Sequence, residues 1–177
     1  MFLVLLILNY CIFIFERGEL TMTCLYKLFL NHTNKFLLKK YDGISQNYLK
    51  FIDENRLKGN RQVIINSRLI LMIAEVYIEK QFNINVIDVS ENSLIDIKEI
   101  NLKNINNIDK LNEIKNNLFN FKDEYFIEIN SISISDYNYD NDILIRSNGI
   151  IEIDGLEIEK CKNDLIEIFN SVLLKIK

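Results

Sequence analysis

The sequence predicts an α+β fold: N-terminal helices including one central buried helix, a short strand pair, a middle helix, then an antiparallel β-meander closed by a C-terminal helix. Three features carry the expectation. From Tyr125 to Ile158 short apolar runs are split by Ser147-Asn148-Gly149 and Asp154-Gly155, two tight-turn signals in succession. Leu165, Ile168, Phe169, Val172, Leu173 and Ile176 then recur at three- and four-residue spacing, the seam of an amphipathic helix. Between Arg61 and Lys80 apolar residues nearly encircle the helical wheel. They leave Arg61, Arg68, Glu75 and Glu79 on one narrow stripe, as a central helix requires.

The remaining elements follow in chain order. Leu25, Leu28, Phe29, Phe36 and Leu37 suggest a helix over Leu25–Lys40, weakened at Asn31–Asn34 and broken by Tyr41-Asp42-Gly43. Ser45 is placed to cap a helix running to Leu57, with Gly59 just past its end. A strand at Gln62–Ile65 competes with helix for the start of the Arg61–Lys80 segment. Phe82, Ile84 and Val86 alternate in a strand to Val89, and Leu94–Ile97 reads as its partner after a turn at Ser90–Ser93. Ile105, Ile108, Leu111, Ile114, Leu118 and Phe121 set a helix over Asn104–Phe121.

In the meander, Tyr125, Ile127 and Ile129 share one parity while Ile132 and Ile134 take the other. The switch predicts a bulge or bend at Asn130-Ser131. Ile143–Arg146 and Ile150–Ile153 form the hairpin, Leu156–Glu159 a further strand, and Asn163 or Asp164 caps the last helix.

A chain of 177 residues suits one domain with a sizeable core. Hydrophobic residues at 49% and charged residues at 26% exclude general disorder. The 31 Ile and 24 Asn, against one Ala, five Gly, five Arg and no Pro, are those of an AT-rich, bacterial or phage-type genome. Isoleucine then stands in for leucine and valine, so periodicity outranks β-propensity. A net charge of −4 argues against a non-specific phosphate-binding surface. Lys35, Lys39 and Lys40 come nearest to a basic patch and read as a solvated helix face.

Cys11, Cys24 and Cys161 show no CxxC spacing and read as small apolar side chains of a reducing, cytoplasmic compartment. His32 has no metal-type neighbour, so zinc chemistry is not expected.

Phe2–Phe15 is apolar apart from Asn9. As a helix it reaches about 21 Å at ~1.5 Å per residue, short of the ~30 Å hydrocarbon core. It lacks the basic start and small-residue cleavage site of a secretory signal, and Tyr10 and Asn9 precede Cys11 where a lipoprotein signal wants small residues. Arg17-Gly18-Glu19 back-translates to a purine-rich run placed like a ribosome-binding site before Met22. Residues 1–21 are therefore expected to be upstream sequence or a short membrane anchor, and 22–177 a single domain. Without 1–21 the charge becomes −3, from the loss of Glu16, Glu19 and Arg17.

Chemistry concentrates in two places. Asp88 lies late on one expected strand, and Asp96 and Lys98 share a face of the next, so two carboxylates could hold a divalent cation such as Mg²⁺ and activate water. The arrangement resembles the PD-(D/E)xK nuclease core, and the resemblance implies a further glutamate from the preceding helix, here Glu75. Ile87 stands where that pattern has proline, and two strands are expected where the family has three. The bland alternative is the solvent face of a hairpin.

Asp136, Asn138 and Asp140 resemble the start of a calcium loop, but Asn141 replaces the turn glycine and Ser147 the bidentate glutamate. An acidic, Tyr-bearing connection remains, in which Asp136, Tyr137, Tyr139, Asp140 and Asp142 suit a protein-contact surface. No P-loop, Gly-rich dinucleotide turn or nucleophile motif occurs.

A cytoplasmic protein acting by protein–protein binding (accessory, inhibitor or immunity-like), without cofactor, nucleic acid or catalysis, is the expectation. The alternatives are the metal-dependent nuclease and, if residues 1–21 are translated, a membrane-tethered subunit.

Overall fold

The computed structural model describes residues 4–8, 11–16, 19–90, 102–120, 128–136 and 141–176, with side chains over 22–90, 102–116, 128–135 and 141–172. Its strands are β1 (Val4–Leu8), β2 (Cys11–Glu16), β3 (Glu19–Leu30), β4 (Phe36–Lys40), β5 (Arg61–Gln62), β6 (Asn83–Val89), β7 (Lys103–Ile105), β8 (Ile129–Asp136), β9 (Asn141–Arg146) and β10 (Ile150–Gly155). Its helices are α1 (Tyr48–Leu57), α2 (Ser67–Glu79), α3 (Ile108–Asn120) and α4 (Ile158–Ile176). The strands make one antiparallel sheet in the order β1-β2-β3-β10-β9-β8-β6-β7, and β4 and β5 also pair with β3.

Strands, not helices, open the chain, which overturns the expected order of elements. The segment read as a helix over Leu25–Lys40 is the hairpin β3–β4, with Tyr26 opposite Lys40 and Leu30 opposite Phe36. Its turn is built by Asn31, whose Oδ1 accepts from Thr33 N at 2.9 Å, Thr33 Oγ1 at 2.8 Å and Lys35 N at 2.9 Å. Asn34 closes the turn at φ 58°, a conformation asparagine tolerates.

The sequence pattern misleads here for a physical reason. Cys24, Tyr26 and Leu28 face one core cluster, while Leu25 and Phe29 on the opposite face join a second with Tyr41, Tyr48, Phe51 and Ile52. A strand covered on both sides loses its period of two and imitates a buried helix.

β3 is long enough to serve four neighbours. One flank pairs with β2 and then β4, the other with β10 and then β5. The meander expected near the C-terminus is therefore not a separate unit. It enters the sheet through β10, whose Ile153 lies opposite Cys24 and Ile150 opposite Lys27.

The expected parity switch is a register shift between Asp88/Ser131 and Val89/Ile129, which leaves Asn130 as the extra residue of a bulge. The expected strand Leu156–Glu159 does not form. Ile158 is 3% exposed and begins α4, whose first turn carries Glu159 at the positive end of the helix dipole. Asn163 and Asp164 thus lie inside the helix rather than capping it.

Several other ends move by a few residues. Asn47, not Ser45, caps α1 through Lys50 N, and Asn66 caps α2 through Leu69 N, leaving Arg61–Gln62 as a short strand. Asn107 accepts from Lys110 N at 2.8 Å as α3 begins, and Lys103–Ile105 ahead of it is strand β7. The strand expected at Leu94–Ile97 lies outside the described residues.

α2, α3 and α4 cover one face of the sheet. Ile70, Ile73, Ala74 and Tyr77 of α2, Leu111 and Ile114 of α3, and Leu165, Phe169 and Val172 of α4 pack there on Ile84, Ile132, Ile134, Ile143, Ile145, Ile151 and Ile153. On the other face α1 covers Phe29 and Leu25. No described helix is long and apolar enough to cross a membrane.

Candidate functional site

The central strands alternate strictly. Ile132, Ile134, Ile143, Ile145, Ile151 and Ile153 are buried under the helices, so Ser131, Ser133, Ser135, Asp142, Leu144, Arg146, Glu152 and Asp154 project from the opposite face. Two cross-strand rows result. One runs Leu25–Glu152–Leu144–Ser133–Val86 and the other Thr23–Asp154–Asp142–Ser135–Asn83.

Polar side chains tie the second row together. Ser135 Oγ donates to Asp142 Oδ1 at 2.7 Å, Asn85 Nδ2 to Ser135 Oγ at 2.7 Å, and Asn83 Nδ2 to Asn85 Oδ1 at 3.1 Å. Arg146 joins Glu152 at 3.0 Å. Asp142 and Asp154 are directly opposed, which puts two like charges about 5 Å apart at Cβ. Oδ1 of Asp154 is buried without a hydrogen-bond partner.

At the β9–β10 turn this face is closed by backbone. Lys27 is fully buried, and its Nζ donates to Val63 O at 2.9 Å and to Asn148 O. Burial lowers its pKa from 10.5 to about 8. Gly149 turns beside it at φ 76°, where a Cβ would stand 2.3 Å from Val63 O and 2.7 Å from Lys27 Nζ. Glycine is required there by conformation and by space.

At two flanks to which a strand could add, those of β7 and β4, side chains already bond to the backbone. Lys110 Nζ donates to Lys103 O at 2.8 Å and Asn104 O at 3.3 Å along β7, while Asn170 Oδ1 of α4 takes Phe36 N of β4 at 3.0 Å.

The residues expected for nuclease chemistry are not gathered among those described. Asp88 is exposed on the open face, alternating with buried Ile87 and Val89. Glu75 lies on the helix-covered side, where Lys115 of α3 holds its carboxylate at 2.7 Å. Asp96 and Lys98 lie outside the described residues. No three His, Cys, Asp or Glu side chains among the described residues converge as a metal would need. Glu75→Gln is accordingly expected to lower stability by no more than about 1 kcal/mol, the worth of a partly exposed ion pair. Divalent-cation binding, read by calorimetry, is expected to be the same in both proteins.

Of the expected contact loop, Tyr137, Tyr139 and Asp140 lie outside the described residues. Asp136 ends the strand before it and Asp142 is the second residue of the strand after it, exposed on the open face. Sequence reasoning passed over the rest of this face, although Ser131-Ile132-Ser133-Ile134-Ser135 carries its period of two openly. Lys27 carried no signal, since a lone lysine between apolar residues reads equally well as solvated. Of the cysteines expected to be free, Cys161 is a buried thiol and Cys24 is disulfide-bonded.

The class that the fold defines is an α+β protein built, among the described residues, on one large antiparallel sheet with three helices on one face and one on part of the other. Comparison with protein-family models, with characterised proteins and with solved structures returns no match.

Proposed function

We propose that the protein acts by binding another protein through the open face of the sheet, and that the partner presents a basic surface. The observation that carries this reading is the charge of that face. Across β10, β9, β8, β6 and β7 it bears the carboxylates of Asp154, Glu152, Asp142 and Asp88 against two cations, Arg146 and Lys103, the latter opposite Val86. Small serines and the apolar patches of Leu144 and Ile150 lie between them, a mixture suited to a flat, partly wet interface. The capped flanks at β4 and β7 favour contact through the face over strand addition at those flanks. Asp142 connects the face to the acidic, Tyr-bearing loop ahead of it.

The test is capture by the tagged full chain at native expression level in its own host. Asp88→Lys with Asp142→Lys is expected to cut capture of the partner at least tenfold, and raised salt to weaken the wild-type complex. Asp53→Lys, on the exposed side of α1, serves as the control and is expected to leave capture unchanged. A partner retained by the double variant, or no partner at all at native levels, overturns the reading.

A further inference from the structure

We propose that two copies of this chain join edge to edge through β1, pairing Val4–Leu8 antiparallel about a two-fold axis at Leu6, so that the sheet runs on from one protomer into its partner. Backbone bonding carries the inference. In an antiparallel ladder each residue sends its N–H and C=O to one flank, and successive residues alternate flanks. Tyr41 N donates to Leu25 O at 2.9 Å and Leu28 N to Gly149 O at 2.8 Å. Odd-numbered residues of β3 therefore bond toward β2 and β4, and even-numbered ones toward β10. Thr21 and Thr23 lie opposite Ile14 and Ile12, so the even-numbered residues of β2 bond to β3. The backbones of Cys11, Phe13 and Phe15 are then turned to Leu8, Leu6 and Val4. Leu5 and Ile7 are left with both backbone groups directed away from β2.

Among the described residues no strand lies beyond β1, one end of the strand order. At the other end, β7 carbonyls already accept from Lys110. Self-pairing centred on Leu6 sets Leu5 opposite the partner subunit's Ile7, and Ile7 opposite the partner subunit's Leu5. Each of these pairs exchanges both of its hydrogen bonds, so every outward group of Leu5 and Ile7 is satisfied. The occupant is a second copy because of charge and symmetry. Val4-Leu5-Leu6-Ile7-Leu8 holds no charge and no proline, so identical strands meet without the repulsion that a net charge of −4 brings to contact elsewhere. A partner must also offer an unpaired edge of its own, and every copy supplies one in the matching register. The faces of both sheets stay uncovered in such a dimer.

The experiment combines sedimentation of the purified full chain with amide exchange read by NMR. Because no other protein is present, its outcome is separate from that of the open-face reading. The expected result is a reversible dimer in which the Leu5 and Ile7 amides are protected and lose that protection on dilution. The Leu6 and Leu8 amides, bonded to β2, are expected to stay protected at every concentration. Ile7→Pro removes one outward donor from each protomer without touching a bond to β2, and is expected to weaken the dimer by about tenfold or more. Unchanged exchange at Leu28 and Tyr41 shows that variant to be folded. If it is not, the wild-type amide pattern decides alone. A monomer at every concentration, whether or not it adheres to phosphatidylcholine vesicles, overturns the proposal. So does a dimer whose Leu5 and Ile7 amides exchange freely, or one that folded Ile7→Pro leaves intact.

Discussion

Lys27→Met is expected to leave stability near the wild-type value at pH 7 and to lower it by roughly 3 kcal/mol at pH 10.5. The wild-type amine is fully buried, with a folded pKa of about 8 against 10.5 for the free side chain. Because the folded pKa is depressed, the unfolded chain binds the proton more tightly between these values. The stabilising contribution of Lys27 is thus fully present above pH 10.5 and is lost as pH falls through about 8. At about 1.4 kcal/mol for each tenfold in proton affinity, the window is worth roughly 3 kcal/mol. Methionine has no charge to bury, but it leaves Val63 O and Asn148 O without the Nζ–H donor, charged or neutral, at about 1–3 kcal/mol for a buried acceptor. The two effects nearly offset at neutral pH, and only the second remains at high pH. Urea midpoints of both proteins from pH 7 to 10.5 provide the measurement. The difference between the proteins isolates Lys27 from the tyrosines that titrate in the same range, and parallel profiles would rule out a lowered Lys27 pKa.

Phe169→Ala is expected to cost about 3–5 kcal/mol, as truncation of a fully buried phenylalanine does. In a chain of this size that corresponds to a fall in Tm of roughly 10 °C. Phe169 sits on α4 with its ring centroid 5.5 Å from that of Phe36 on β4, so it pins the last helix over the β3–β4 hairpin. A double-mutant cycle with Phe36→Leu and Phe169→Leu is expected to show a coupling of about 0.5–1.5 kcal/mol. A coupling of zero would mean that β4 does not lie beneath α4.

That contact also marks where sequence reasoning stops. Local chemistry made much of the chain legible. The turn at Ser147-Asn148-Gly149 occurs where its residues require it, with Gly149 at φ 76°. The parity change at Asn130 is a bulge, and the apolar periods of α2, α3 and α4 mark helices. Each of these signals concerns residues a few positions apart. The region from Cys24 to Lys40 fails for the complementary reason. Whether Leu25 and Phe29 are core residues depends on α1 crossing the second face of β3, which no local pattern records. Leu156–Glu159 fails likewise: alternation of two apolar and two acidic residues fits a strand, but burial of Ile158 and Cys161 continues the seam of α4 backwards.

The candidate site divides along the same line. That this chain is acidic and equipped with an acidic Tyr-bearing loop was determined by its residues alone. Which acids share a face was decided only by tertiary structure, because antiparallel register sets Asp154 opposite Asp142 from sequence positions with a turn between them. The same physics separates Asp88 from Glu75, placing one on the open face and the other among the helices. It also sets Cys11 opposite Cys24. Residue types decide which chemistry a chain can carry; pairing across strands decides which of those residues meet.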